Sequence, residues 1–336
     1  MRIFVTGTAG FIGFHLARRL LQDGHAVTGF DGLTPYYDVG LKQRRHAILE
    51  AFSRFAPIIG QLENQPLLAA AVADCAPEII VHLAAQAGVR YGIEHPQSYI
   101  GANIVGTFNL LEAAKAAKPK HLLLASTSSA YGGNEKMPFE EGDRTHFPVS
   151  LYAATKKAGE ALSHAYAHLW RIPTTCVRFF TVYGPWGRPD MALIKIVDAI
   201  ERGEAIEVYG QGAMRRDFTY VDDLVEAVVR LIGVVPEVGK PASGNDSLSP
   251  VAPWRTVNIA AGAPVDLSAF IASVERALGK PARKTMLPMQ QGDVMETWAD
   301  ASLLRTLTGY VPATGIDEGV RAFVDWYRSA GVSPLR

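Results

Sequence analysis

Cysteine is nearly missing from this 336-residue chain, which has two, Cys75 and Cys176. They form no metal-ligand spacing. They read as two buried free thiols, which fits a reducing cytoplasm and no metal. An excess of one charge is also lacking, with 33 Lys+Arg against 33 Asp+Glu. No global field then recruits nucleic acid or an anionic membrane, although a local basic cluster still suits phosphate. No apolar stretch approaches the about 20 residues of a membrane helix, and no internal repeat is visible. Met1-Arg2 followed by apolar residues faintly mimics a secretory signal. The spaced glycines and the amphipathic run Leu16-Ala17-Arg18-Arg19-Leu20-Leu21 instead read as strand, tight turn and helix.

What is present is an alternation. Short β-rich runs at 3–5, 26–30, 79–83, 121–125 and 174–179 read as strands. Amphipathic runs at 14–22, 103–117 and 153–170 read as helices, with Gly24 ending the first and 61–74 as a further crossover. Near-continuous apolar strands alternating with helices predict a parallel sheet covered on both faces. After Phe180 the pattern changes. Helices are expected at about 192–202, 222–232, 266–278 and 317–327, strands at 206–209 and 257–260, and a long surface loop at 234–253. The expected class is α/β: a Rossmann-type dinucleotide domain over 1–180, with segments near 220–262 returning to it. A smaller, interleaved α/β lobe takes 181–219 and 263–336.

Gly7, Gly10 and Gly13 follow the first strand directly and open the first helix, around Phe11 and Ile12. Glycine is needed there for a tight turn, for backbone approach to a pyrophosphate and for close helix–strand packing. The amide end of the helix then meets the phosphates. Asp31 ends the second strand, where a carboxylate binds a ribose hydroxyl and repels a 2′-phosphate. NAD is therefore favoured over NADP. Lys42, Arg44 and Arg45 lie downstream and weaken that preference slightly, or form a solvated helix face.

The run 126–132, Ser-Thr-Ser-Ser-Ala-Tyr-Gly, follows a strand and so sits at a carboxyl end, where open α/β sheets place their ligands. Tyr152 and Lys156 lie four apart on a helix and project from one face. An ammonium there favours the phenolate of a tyrosine whose ordinary pKa is about 10. A hydroxyl of the 126–132 turn can share a substrate hydroxyl's hydrogen bond with Tyr152, so that hydroxyl, Tyr152 and Lys156 are the catalytic candidates.

With these residues in view, the chain resembles the extended short-chain dehydrogenase/reductase family of nucleotide-sugar enzymes, over nearly its whole length. The motifs are the glycine turn, His82-Leu83-Ala84-Ala85-Gln86-Ala87-Gly88-Val89-Arg90, the turn ending in Tyr131-Gly132, and the Tyr152/Lys156 pair. Within that family it is most similar to the UDP-glucuronate 4-epimerase group, through Tyr36-Tyr37-Asp38-Val39-Gly40-Leu41-Lys42 and the runs 148–157, 178–191, 216–223 and 292–294. The stretch Gly184-Pro185-Trp186-Gly187-Arg188-Pro189-Asp190-Met191 is the most specific.

The resemblance implies NAD held by Gly7, Gly10, Phe11, Ile12, Gly13, Asp31, Leu83, Ala84, Ala85, Tyr152 and Lys156. It implies Thr127, Tyr152 and Lys156 as the catalytic hydroxyl, the acid/base and its supporting cation, and a UDP-sugar held by Arg90, Thr127, Thr181, Arg188, Arg216 and Asp293. Thr181 and Arg188 match positions that meet a sugar carboxylate; Arg90 and Arg216 match phosphate ligands. Asp293 matches a ligand of the nucleotide-sugar end. Chemistry alone also allows Arg188 as a carboxylate ligand, because guanidinium binds planar oxyanions bidentately. A solvent-exposed Arg188 and an Arg216–Asp217 ion pair are the bland readings. The implied reaction is C4 epimerisation of UDP-glucuronate to UDP-galacturonate through a 4-keto sugar, in a homodimer seamed by helices 103–117 and 153–170. UDP-glucose epimerisation, decarboxylation of UDP-glucuronate and non-enzymatic NAD binding are the alternatives. Family dehydratases and decarboxylases carry carboxylates in the 127–129 turn; Thr127-Ser128-Ser129 carries none. Gln61 and Gln290 depart from the patterns of many relatives.

Overall fold

The structure, a computed structural model, describes residues 1–289 and 295–330. The chain runs β1 (Arg2–Thr6), α1 (Phe11–Gln22), β2 (Ala26–Asp31), α2 (Val39–Glu50), β3 (Phe55–Ile59), α3 (Gln65–Cys75) and β4 (Ile79–His82). Short α4 (Tyr91–Glu94) and α5 (Pro96–Tyr99), a π-helical turn (Ile100–Val105), α6 (Gly106–Ala117), β5 (His121–Thr127), a 3-10 turn (Ser128–Tyr131), α7 (Leu151–Trp170) and β6 (Thr174–Phe179) follow. Next come β7 (Thr181–Tyr183), α8 (Ala192–Arg202), β8 (Ala205–Tyr209), β9 (Arg215–Tyr220), α9 (Val221–Ile232) and β10 (Trp254–Ile259). The chain then forms β11 (Pro264–Asp266), α10 (Leu267–Leu278), β12 (Arg283–Leu287), β13 (Glu296–Thr297), α11 (Ser302–Thr308) and α12 (Ile316–Ser329).

The expected parallel sheet is there, with seven strands in the order β10-β6-β5-β4-β1-β2-β3. Its central strands β4, β5 and β6 are buried throughout, which is why they read as continuous apolar runs. From β1 the chain builds outward through β2 and β3, then crosses to β4 on the other side. That reversal opens a crevice at the carboxyl ends of β1 and β4. One core packs α1 and α9 on the sheet around Phe14, Leu16, Val81, Val177 and Leu224. A second core joins α8, β8, α10 and α12 around Leu193, Val197, Phe270 and Phe323.

Local differences have physical causes. The crossover expected from residue 61 starts at Gln65, because Asn64 Oδ1 caps the Leu67 amide at 3.2 Å. The pattern of apolar residues did not reveal α2, since its buried face is Leu41, Lys42, Arg45, His46 and Leu49. Lys42 and Arg45 are thus not on a solvated face. The segment after residue 262 does not stay in the second lobe. Leu303 and Leu304 of α11 are buried in the first core.

Candidate active site

A cleft of about 1160 Å³, counted with its open mouth, lies over the crevice and is lined by the glycine turn, Asp31, Leu83, Ala84, Ala85, Tyr152 and Lys156. Gly7 has φ of 83°, and a Cβ on Gly13 would stand 2.0 Å from the Gly7 carbonyl oxygen. A Cβ on Gly7 would come within 2.8 Å of the Ala84 nitrogen. The turn is therefore pressed against both α1 and the β4 loop. No side chain caps α1, so its first amides at Phe11, Ile12 and Gly13 stand at the cleft without the usual acceptor. That is the donor set a pyrophosphate takes. Asp31 accepts from the Ala9 amide at 2.9 Å and the Leu33 amide at 2.8 Å. Each carboxylate oxygen keeps lone-pair capacity for a hydroxyl. These residues fit a dinucleotide. Gln61, which also lines the cleft, donates to the Gly32 carbonyl at 2.9 Å.

Ser150 starts α7 by accepting the Ala153 amide at 3.1 Å, and this sets Tyr152 and Lys156 one turn apart facing the cleft. Thr127 ends β5, accepts the Ser129 amide at 3.1 Å, and hydrogen-bonds Tyr152. Burial raises the Tyr152 phenol, while the Arg188 charge and the Thr127 bond pull it back part of the way. Burial pushes the Lys156 ammonium down to about 8, against the pull of Cys176 and Glu160. The Arg188 guanidinium favours the Tyr152 phenolate, beside the Lys156 ammonium one turn along α7.

Arg188 lines the cleft beside Tyr152 and is paired with Asp190, so it is not a loop arginine in solvent. A second cleft, lined by Arg90, Tyr91, Thr181, Asp190, Lys195, Tyr209 and Arg216, meets the first at Tyr36. The Arg90 guanidinium lies 5.7 Å from the Tyr209 ring centre. Arg216 does not pair with its neighbour Asp217. Adjacent strand residues point to opposite faces, and Asp217 accepts instead from the Ala261 and Gly262 amides, both at 2.9 Å. Asp293 and Gln290 lie outside the described residues.

Several residues at the site escaped the sequence reading. Asn103, in the π-helical turn, accepts the Gln86 amide at 2.8 Å and donates to Thr155 Oγ1 at 3.0 Å. It ties the β4 loop to α7 at a helix irregularity, a feature that often marks functional sites. Arg45 donates to the carbonyls of Ala9 (2.7 Å) and Trp186 (2.5 Å), joining the glycine turn to the Arg188 loop. The polar i, i+4 spacing of Lys42 and His46 was the available signal. Asp190 carried none beyond the Gly-Pro-Trp motif, and Lys195, four residues past that motif, carried none.

Fold and site together define a dinucleotide-dependent enzyme of the nucleotide-sugar type, and the model of the NAD dependent epimerase/dehydratase family matches residues 3–242. The chain belongs to that family. It is 58% identical over 330 residues to the probable UDP-glucuronate 4-epimerase of Rhizobium meliloti (strain 1021), with 97% of each chain covered. UDP-glucuronate 4-epimerase 1 of Arabidopsis thaliana is 42% identical, over 97% of this chain and 76% of that one. Among solved structures it is similar to UDP-glucuronic acid 4-epimerase from Bacillus cereus in complex with UDP-glucuronic acid and NAD. That match has a TM-score of 0.87 and 34% identity, and covers 98% of this chain and 100% of the other.

Proposed function

We propose that this chain interconverts UDP-glucuronate and UDP-galacturonate by inverting C4 through a 4-keto sugar, with Tyr152 as acid and base. The observation that carries this reading is that Tyr152, Lys156 and Arg188 line one cleft with the glycine turn. NAD would be held by Gly7, Gly10, Phe11, Ile12, Gly13, Asp31, Leu83, Ala84 and Ala85, and would supply a hydride acceptor and donor. Tyr152 takes the C4 hydroxyl proton and returns it; Thr127 shares that hydrogen bond. Lys156 orients the ribose side of the cleft. Such a general base contributes about 10²–10⁴-fold.

Arg90, Lys195 and Arg216 give the second cleft three cationic side chains for a diphosphate. The sugar then reaches Tyr152 past Thr181 and Arg188, which meet its carboxylate. Anchoring through the nucleotide leaves the sugar free to turn over. A keto group at C4 makes the C5 carboxylate prone to leave as CO₂ when that bond stands parallel to the carbonyl π system. Holding the carboxylate near the ring plane suppresses this loss. Asp293 is proposed at the nucleotide end on resemblance alone.

Residues 1–180 with the stretch near 220–262 form the cofactor side, and 181–219 with most of the chain after 262 the sugar side, α11 excepted. A homodimer fits helices α6 and α7. Phe108 on the first and Val105, at the end of the π-helical turn before it, are each 41% exposed, and small Ala154, Ala158 and Ala161 stand on the other. Ala113 and Ala114 are buried within the subunit instead. The working compartment is the cytoplasm, with no nucleic-acid partner.

The test is anaerobic incubation with UDP-glucuronate and NAD⁺ and analysis of the sugar nucleotides formed. UDP-galacturonate is expected, and a UDP-pentose as main product would overturn the reading.

A further inference from the structure

Arg188 does not face the cleft as a bare cation. Its Nε donates to Asp190 Oδ1 at 2.9 Å and its Nη2 to Oδ2 at 2.7 Å, the parallel bonds of a bidentate pair. The Tyr36 hydroxyl donates to the same Oδ2 at 2.9 Å, from the segment after β2. Burial by itself would lift the Asp190 carboxyl. The Arg188 charge and the Tyr36 bond outweigh it and hold the group below its ordinary value. Arg188 and Tyr36 line the cofactor cleft; Asp190 and Tyr36 line the second. The pair stands at the passage between them.

We infer that Asp190 is a built-in stand-in for the substrate carboxylate, holding the Arg188 guanidinium whenever the sugar's own carboxylate leaves it. This rests on the reading of Arg188 as a carboxylate ligand. Inversion at C4 requires the keto sugar to turn over, and its C5 carboxylate travels with the ring. A guanidinium abandoned in a partly desolvated cleft resists that departure, because breaking such a pair leaves an uncompensated charge. With Asp190 two residues away, one carboxylate replaces another. No covalent bond changes, and the charge around Arg188 is the same before and after. Tyr36 keeps Asp190 in position while Arg188 is engaged elsewhere. Asp190 is thus a positioning residue that tunes how firmly the site grips a uronic acid.

The sign of one affinity change separates this role from simple support of Arg188. If Asp190 only props the arginine, its loss weakens UDP-glucuronate binding. If it competes with the substrate, its loss tightens binding and slows turnover. Calorimetry on the NAD-loaded enzyme with UDP-glucuronate and UDP-glucose, together with kcat, reads both. Asp190→Asn is expected to tighten UDP-glucuronate about tenfold, which is ~1.4 kcal/mol, to lower kcat by a similar factor, and to leave UDP-glucose binding unmoved. Tyr36→Phe is expected to shift both quantities in the same directions by less, and Asp190→Glu to restore them. Weaker or unchanged UDP-glucuronate binding in Asp190→Asn overturns the inference. Arg188→Ala distinguishes the underlying reading. If it leaves the preference between the two sugars intact, the carboxylate role of Arg188 fails and the stand-in falls with it. If it abolishes the preference while Asp190→Asn changes nothing, the stand-in alone is wrong.

Discussion

Arg45 Nη2 donates to the carbonyl oxygen of Trp186 at 2.5 Å, across 141 residues of sequence. Trp186 has φ of 60°, a conformation that side chains other than glycine adopt at a cost. His15 secures the preceding carbonyl, with Nε2 at 2.9 Å from the Pro185 oxygen. Two buried basic side chains of the cofactor side therefore hold the strained loop that presents Arg188.

Arg45→Met should loosen that loop. It removes donors to Ala9, Tyr37, Trp186 and Gly187 and leaves buried carbonyls without partners. A stability loss of about 2–4 kcal/mol is expected, with weaker UDP-glucuronate binding. Urea denaturation and calorimetry check it, and full stability with full affinity would remove Arg45 from the account.

Tyr152→Phe keeps the ring and deletes the proton carrier. Turnover should fall about 10²–10⁴-fold, with UDP-glucuronate affinity within a few-fold of the parent. Rapid-quench product analysis with a binding isotherm decides, and near-normal turnover would place the acid/base elsewhere.

Gly13→Ala puts a methyl group 2.0 Å from the Gly7 carbonyl oxygen, a backbone atom that cannot swing away. The turn must open, so a loss of about 1–3 kcal/mol is expected, and NAD should no longer raise the melting temperature. A normal NAD-dependent shift in the variant would contradict the proposed pyrophosphate cradle.

Acid should destabilise the fold from about pH 6.5 downward, through two buried histidines. Thr6 Oγ1 accepts the Leu83 and Ala84 amides, so its proton goes to His82 Nδ1, and His82 Nε2 donates to Thr107. That network needs a neutral ring. Burial, aided by the Lys156 charge, drives His82 down to about 3. Burial also takes His121 to about 4, opposed by the Ile232 carbonyl. Both values lie below the unfolded one. The stability is therefore complete above pH 6.5 and is lost as pH falls toward 4, by about 1.4 kcal/mol per pH unit for each ring. Denaturant titrations at pH 7 and 5 measure it. His82→Asn should flatten the dependence, and an unchanged slope would exclude His82.

Much of this was legible along the chain. Strand periodicity located the central sheet, and glycine spacing located the turn between β1 and α1. Tyr152 and Lys156 declared themselves by helical spacing. The polar helix α2 stayed hidden because its buried face carries Lys42, Arg45 and His46, whose partners are loop carbonyls, the Thr34 and Tyr37 side chains, and Thr8. Strand β9 was missed because its run Arg215-Arg216-Asp217 is polar. Its burial comes from pairing with β7, β11 and β13.

The sequence by itself determined what short-range geometry governs: an α/β sheet, a phosphate-ready turn, and a tyrosine–lysine helix face. Only the tertiary structure decided which charges meet. Tyr36 reaches Asp190 over 154 residues, and the Arg188 charge bears on Tyr152. Such pairings depend on how loops cross between two packed cores and on how far each group is withdrawn from water, and neither leaves a periodic trace in the chain.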